Sequence, residues 1–409
     1  SSLTSKYSTS VSANRWQMVN FNNFLWLFQS GHAPLSWDGT TMKLITAMSS
    51  AAGTPPQGDA VIGAYGRLWV GAVSTDKTTL FYSDTLAGHI WTGGASGSVD
   101  LKSVWTNGMD SIVALAAFNG FLVIFGRKSV LIYSGATAPG SMALVEHVKG
   151  IGCVARDSVQ DIGTDLLFLS DTGVRSLQRT IQEKSMPMRD ISSNVRNEML
   201  YYIGAETDIG KVTSTYNEKE RFYLVNFPQN GITFCFDISR VLQNGASPVT
   251  TWDSINPKAM LTQINGDLLL GQLGIIGKYS TYKDNAATYD MSYLTAWISF
   301  GQPFLQKILK KINFTMQGSS SSVFTVKHSY DYSGTEFTEQ QSVGGGVTHE
   351  YNVAEYNIAE YSSGRIIDEV SSIGKSAGKM IQVGIFSTVN GAELAIQKFD
   401  IYAKRGRMK

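Results

Sequence analysis

Short runs of consecutive apolar residues recur along the first two thirds of the chain, and each run is set off by a polar or glycine-containing turn. A second, more mixed stretch with an aromatic residue follows each run. The runs are spaced by roughly 43 to 56 residues, close to the length of one blade in a β-propeller. The six runs occupy residues 22–28, 65–71, 118–125, 163–169, 220–225 and 265–271.

A strand that is apolar at every position is typical of a strand buried on both faces. The blades of a β-propeller bury their inner strands in this way, because neighbouring blades cover both faces. The pattern therefore predicts an all-β protein with a β-propeller of about six blades over residues 16–290. We expect the propeller to close around its own axis, with the apolar runs as its inner strands. The alternative is a β-sandwich with hairpins at irregular intervals.

One segment within this region has helical spacing instead. Apolar residues recur at Ile191, Val195, Met199 and Tyr202, and Asp190 or Ser192 could cap a helix beginning there. The pattern predicts a short helical insertion near residues 190–202, on one face of the propeller. These four side chains are candidates for a gate or a contact.

The sequence pattern changes after about residue 290. Residues 308–316 and 322–328 alternate between apolar and polar, as strands with one wet face do, and residues 395–402 form a good final strand. We expect a second, smaller β-sandwich-like domain over residues 291–409.

A five-residue repeat lies inside this second region and places Tyr351, Tyr356 and Tyr361 at equivalent positions. A period of five fits neither a regular helix nor a regular strand. The repeat suits an exposed contact loop, and its alternative is an exposed excursion without a partner.

Charge is sparse and balanced. Charged residues make up 16% of the chain and the net charge is +1, whereas about 25% is usual. Sparse charge leaves surface available for burial against partners, because interface cores are depleted of charge. A protein that grips nucleic acid needs a basic excess, so tight DNA binding is disfavoured, although a channel through which DNA slides is allowed.

No run of about 18 apolar residues and no signal peptide are visible, so we expect no membrane insertion by this chain.

The residues that usually carry chemistry form no constellation. The histidines lack metal-ligand spacing, and Cys153 and Cys235 sit among apolar residues as structural, unpaired thiols. Residues 274–280 resemble a phosphate-binding loop, but the spacing is wrong and no helix follows. Asp157, Asp161, Asp165 and Asp171 sit beside turn residues, where aspartate bonds its own backbone. We expect no catalytic, cofactor-binding or metal-binding residues.

Residues 118–133, 152–159 and 166–177 resemble the most recognisable stretches of the tail nozzle, or stabilisation, proteins of short-tailed bacteriophages. The resemblance covers roughly residues 60–310 and rests on strand-and-turn pattern more than on invariant chemistry. The segment near 191–202 and residues 297–303 also sit where this family has equivalents. The chain departs from the family at its start and in the tyrosine repeat.

The resemblance implies a structural protein of the virion tail, assembled in the host cytoplasm. Several copies, expected to be six, would form a ring below the portal and its tail adaptor, and tail fibres or spikes would attach to its flank. DNA would pass through the ring lumen without specific binding, and the ring would retain the genome and open for ejection. Two other functions stay open from the sequence: a receptor- or carbohydrate-binding propeller module, and a propeller-class glycosidase.

Overall fold

The chain forms two compact units, Ser1–Tyr279 and Ser280–Lys409. The predicted boundary at residue 290 lies too far along the chain, because a strand that begins at Tyr289 already pairs within the second unit. The computed structural model describes residues 6–7, 11, 15–105, 110–183, 190–253, 255–280, 282–284, 286–318, 323–342, 366–374, 376–391 and 394–406.

The described part of the first unit contains six antiparallel sheets whose strands follow chain order. Sheets one to three are formed by β1 Gln17–Phe21, β2 Phe24–Gln29, β3 His32–Trp37 and β4 Met42–Leu44; β5 Gly58–Ala64, β6 Arg67–Val73, β7 Thr79–Tyr82 and β8 Gly97–Asp100; and β9 Ile112–Phe118, β10 Phe121–Gly126, β11 Ser129–Ser134 and β12 Ala143–Lys149. Sheets four to six are formed by β13 Gln160–Asp161, β14 Leu166–Ser170 and β15 Gly173–Ser176; β16 Thr213–Asn217, β17 Phe222–Phe227, β18 Ile232–Asp237 and β19 Val249–Trp252; and β20 Ala259–Thr262, β21 Leu268–Gln272 and β22 Ile275–Tyr279.

The sheets are the blades of a β-propeller, as the sequence pattern predicted. The first strands of successive sheets contact one another: β1 with β5, β5 with β9, β13 with β16, and β16 with β20. Consecutive sheets joined through their first strands place those strands at the centre and the later strands further out, which is the radial arrangement of a propeller.

The apolar runs are inner strands of the blades, as predicted, but they are not the innermost ones. The runs form the second strand of each sheet, namely β2, β6, β10, β14, β17 and β21. A second strand has a strand on each edge and can have a neighbouring sheet on each face, and β14 and β17 are buried along their whole length. The first strands have one edge towards the axis and tolerate polar residues in some blades, as in the sequence Thr-Ser-Thr-Tyr-Asn of β16, whereas β9 remains apolar.

Apolar side chains from adjacent sheets form the core between blades. Phe125 of the third sheet packs against Phe168 of the fourth, with ring centres 5.0 Å apart. Leu167 and Leu169 of the fourth sheet share a cluster with Tyr223 and Val225 of the fifth. Burial of a large apolar side chain contributes about 2 to 3 kcal/mol, so these layers hold the blades together.

Two α-helices lie between the fourth and fifth sheets, α1 Leu177–Glu183 and α2 Arg196–Ala205. The second lies in the region of the predicted helical insertion but begins only at Arg196, and neither predicted cap is used. The Asp190 carboxylate instead pairs with Arg175 at 2.7 Å and with Arg196, and the Ser192 hydroxyl accepts a hydrogen bond from the backbone N–H of Val174. Both side chains are buried among distant partners, and these contacts replace the local cap.

Short 3-10 turns complete the first unit, at Ile45–Ala47, Pro139–Ser141, Arg156–Ser158, Ser193–Val195 and Ile209–Lys211.

The second unit is a sandwich of two antiparallel sheets, as predicted. One sheet has the order β23 Tyr289–Leu294, β29 Ile381–Val389, β25 Val323–Tyr330 and β26 Glu336–Ser342. The other is centred on β24 Lys307–Gly318, which pairs with β27 Ile366–Ile373, β28 Ala377–Gly378 and β30 Leu394–Arg405. Ile312 and Phe314 from one sheet meet Phe324 and Val383 from the other in a single apolar core.

Candidate functional site

The four predicted contact residues near α2 belong to the protein core. Ile191 and Met199 are buried, and Val195 and Tyr202 pack against the same cluster between the fourth and fifth sheets. Apolar residues at helical spacing here form the face that anchors the helix. The exposed side of α2 instead presents Leu200 and Tyr201, of which Tyr201 is 68% exposed.

The other predicted contacts, Tyr351, Tyr356 and Tyr361, lie outside the described residues.

The axis of the propeller is spanned at one end by an arginine cluster that the sequence analysis missed. Arg15, just before β1, donates hydrogen bonds to the carbonyl oxygens of Gly210 and Val212 and forms an ion pair with Asp157. These partners precede β13 and β16, so Arg15 connects the first blade with the fourth and fifth. We call Arg15, Arg156, Asp157 and Asp59 the axial cluster.

Arg156 completes the axial cluster. Its guanidinium binds the Asp157 carboxylate through two nitrogens, at 2.6 and 3.0 Å, and donates to the backbone oxygen of Asp59 at 3.0 Å. Burial, followed by the neighbouring Arg156, lowers the pKa of Arg15 to about 10. Both guanidinium groups are therefore held in a desolvated site, where they join four blades at one end of the axis.

Asp157 was predicted to serve turn geometry, and the structure corrects this, because its carboxylate is taken up by two arginines. Asp161 and Asp165 do bond their local backbone: Asp161 accepts from Gly163 N–H at 2.7 Å, and Asp165 accepts from Leu166 N–H at 2.7 Å. The carboxylates of Asp161 and Asp165 are thus fixed in place by hydrogen bonds to the backbone of their own turns.

A pocket of about 560 Å³ opens beside the first strands of the fourth, fifth and sixth sheets. Asp161 and Glu218 supply carboxylates to its wall, and Leu261 and Ile264 supply apolar surface. Its lining residues are Gln160, Asp161, Ser214, Thr215, Tyr216, Glu218, Met260, Leu261, Thr262, Gln263, Ile264 and Gly266.

The sixth sheet has one exposed apolar face. Leu268 and Leu270 point to the fifth sheet and are buried against Phe222 and Leu224. The opposite side chains, Leu261, Leu269 and Ile276, form what we call the free face, and Lys278 lies on the same face beside Leu269.

Leu261 is 59% exposed and Ile276 is 73% exposed, and Ile264 and Leu273 in the adjoining hairpin turns are almost fully exposed. The expectation that neighbouring blades cover both faces of the inner strands is therefore not met at this face of the sixth sheet. The apolar residues in these turns, Ile264 and Leu273, were the signal in the sequence that could have revealed it.

The remaining candidates from the sequence are structural. Cys153 and Cys235 are free thiols, and burial raises their pKa values to about 11 and about 12. Residues 274–280 form a hairpin and strand in which Lys278 contacts Asp267 at 2.6 Å.

Among the described residues no group of three or more His, Cys, Asp or Glu side chains could hold a metal ion. No helix in the described part of the chain is long and apolar enough to cross a membrane.

Solved structures similar to this chain are β-propellers. YCF48 bound to a D1 peptide is 10% identical with a TM-score of 0.40, over 66% of this chain and 82% of the other. BamB from Moraxella catarrhalis is 12% identical with a TM-score of 0.37, over 64% and 70%. The WD40 propeller domain of Doa1 is 10% identical with a TM-score of 0.34, over 63% and 89%.

At TM-scores of 0.40 and below, these likenesses carry no conclusion about this chain. No protein-family model matches the chain, and no curated protein matches it either. The order and contacts of the sheets themselves define the class, a β-propeller protein with a β-sandwich second unit.

Proposed function

We propose that this chain is a protein-interaction module of a structural kind: a virion protein that forms the tail nozzle of a short-tailed phage. In this role several copies, with six expected, form a ring below the portal and adaptor that extends the DNA channel. The ring retains the genome and opens for ejection. The resemblance over residues 60–310 suggests the family, and the free face of the sixth sheet is the observation that carries the proposal.

An exposed apolar sheet face favours assembly into an oligomer over a free monomer. Exposed apolar surface on soluble proteins marks interaction sites where it is extensive, and Leu261, Ile276, Ile264 and Leu273 are all exposed on one blade. The patch lies on one side of the propeller. A ring uses such one-sided patches, because each copy meets a different surface of the next copy in a head-to-tail interface.

The proposal is tested by placing a charge on the free face. Ile276→Lys and Leu261→Lys should reduce the assembled fraction of purified protein at least tenfold in mass photometry, while circular dichroism and melting temperature stay near the wild type. Both positions are exposed, so the substitutions leave the core intact. Val145→Lys is the matched control, because Val145 is 53% exposed on strand β12 of the third sheet.

A cryo-electron-microscopy reconstruction of virions provides the decisive comparison. The proposal requires a ring of this chain at the tail, with the free face buried between copies. Absence of the chain from virions, or a free face left in solvent within the ring, would contradict it. A free monomer with glycan-binding or glycan-hydrolysing activity would favour the receptor-binding or glycosidase alternative.

A further inference from the structure

The second unit carries a patch of positive charge that two distant parts of the sequence build together. Lys310 and Lys311 lie in β24, and Lys404 and Arg405 end β30, which pairs with β24 in antiparallel register. The register sets Lys311 opposite Tyr402, two residues before Lys404. The cations of one strand therefore meet those of the other, although more than 90 residues separate them in the sequence.

The middle of this patch lies on the outer face of its sheet. Ile312 is buried in the core between the two sheets, and because side chains alternate along a strand, Lys311 points the other way. Residues paired across antiparallel strands share a face. Tyr402 of β30 and Ile373 of β27, both opposite Lys311, therefore lie on the outer face beside it, and Lys404 follows on the same face.

The positive charge is exposed and is not neutralised within the described part of the chain. All four cations are exposed, and none of them forms an ion pair with another described residue. The carboxylate of Asp400, also in β30, is taken by Lys398 at 2.7 Å. Like charges held close together are unfavourable without a counter-charge, so this surface fits an anionic partner.

Exposed apolar side chains flank the cations. Ile373 is 66% exposed and Tyr402 is 51% exposed, one on each side of Lys311 in the register. An isoleucine has no π-face on which a nucleic-acid base could stack, whereas apolar side chains enter the headgroup boundary of a bilayer and tyrosine is enriched there. The net charge of +1 also lacks the basic excess typical of nucleic-acid binding. The surface that we call the basic patch consists of Lys310, Lys311, Ile373, Tyr402, Lys404 and Arg405.

We propose that the basic patch is a peripheral binding surface for membranes that contain anionic lipids. The cations contact the charged lipid headgroups, and Ile373 and Tyr402 enter the boundary between headgroups and acyl chains. Each cation near an anionic surface contributes about fivefold to the partition of a protein onto that surface. Such binding is made by side chains of a folded sheet and requires neither a spanning segment nor a ring of copies.

Sedimentation of the full chain with lipid vesicles tests the inference. The wild type should bind vesicles of phosphatidylcholine with about one third phosphatidylserine, and it should not bind vesicles of phosphatidylcholine alone. Raising sodium chloride from about 0.1 M to about 1 M shortens the Debye length from about 10 Å to about 3 Å, and it should release most of the bound protein. Failure of the folded wild type to bind the anionic vesicles would overturn the inference.

A double variant with a matched control locates the contact. Lys311→Gln combined with Lys404→Gln should weaken binding to the anionic vesicles at least about tenfold, because two cations of the patch are lost. Lys102→Gln combined with Lys149→Gln removes the same charge from exposed positions of the first unit, and it should leave binding near the wild type. All four positions are exposed, and circular dichroism checks that both variants fold. Equal losses in the two double variants would contradict the proposed surface.

A third variant distinguishes a lipid surface from nucleic acid. Ile373→Ser should weaken vesicle binding severalfold, because the side chain no longer enters the bilayer boundary, and unchanged binding would contradict the apolar contact. Fluorescence anisotropy with a labelled single-stranded oligonucleotide provides the comparison. Oligonucleotide binding that depends on Lys311 and Lys404, without binding to the anionic vesicles, would assign the basic patch to nucleic acid and overturn the proposal.

Discussion

Individual aspartates fasten the starts of the blades to neighbouring loops. Asp110, just before β9, accepts hydrogen bonds from the backbone N–H groups of Arg127 at 2.7 Å and Lys128 at 3.1 Å, and from the Ser129 hydroxyl at 2.6 Å. Asp59 accepts from the Ser30 N–H at 2.7 Å, between two adjacent sheets. In both cases one carboxylate satisfies donors that hairpin geometry leaves without a strand partner.

Replacing Asp110 should therefore destabilise the propeller. Asp110→Ala leaves several backbone donors without an acceptor, and we expect the free energy of unfolding to fall by about 2 kcal/mol, measured by urea denaturation. Asp171→Ala is the control, because Asp171 is exposed in the β14–β15 turn, and it should change stability by less than about 0.5 kcal/mol. Equal losses in both variants would refute this account of Asp110.

Whether a residue has its partners nearby or far away along the chain decides how much of its role the sequence could predict. The apolar runs were recognisable as buried strands because β14 and β17 are apolar at all but one position each. The first strand β16 was not recognisable, because its polar side chains are satisfied by other segments: Ser214 donates to the Asp157 carbonyl oxygen at 2.7 Å, and Thr215 contacts the Thr262 hydroxyl at 3.1 Å. Arg15 pairs with residues more than 140 positions away along the chain, and no local sequence pattern predicts such a pair.

At the scale of elements, α2 shows how a correct pattern can suggest a wrong role. Spacing located the helix but could not separate a face that binds a partner from a face that binds the protein's own core. Met199 is fully buried between the fourth and fifth sheets, whereas its neighbour Tyr201 stands in solvent. Contact with another subunit through this helix would therefore use Leu200 and Tyr201.

Alanine substitution distinguishes the two faces of α2. Met199→Ala should lower the free energy of unfolding by about 2 to 5 kcal/mol, because it opens a cavity in a packed cluster. Tyr201→Ala should leave it within about 0.5 kcal/mol, as followed by thermal and urea denaturation. A large loss of stability in Tyr201→Ala would show that the exposed face also serves folding.

At the scale of the whole molecule, the axial cluster bears on the route that DNA could take. Arg15 reaches from the first blade to the fourth and fifth, so the propeller axis is crossed by side chains at one end. A B-form duplex, about 20 Å across on the scale of its grooves, is far wider than an axis that a single arginine spans. The proposed nozzle therefore requires a lumen between copies.

We predict that the duplex runs through the centre of a ring of copies and that no propeller encloses it. The ring lumen should be near neutral or acidic, because basic walls would hold phosphates and slow ejection. A reconstruction of DNA-filled particles checks both statements. Duplex density along the axis of a single propeller, or a lumen lined by Lys and Arg, would contradict them.

Arg15→Met provides the matched test: loss of the ion pair to Asp157 should weaken the contact between blades and lower the melting temperature. Because Arg15 lies on the propeller's own axis, this variant should leave the charge of the ring lumen, and thus ejection from particles that assemble, unchanged.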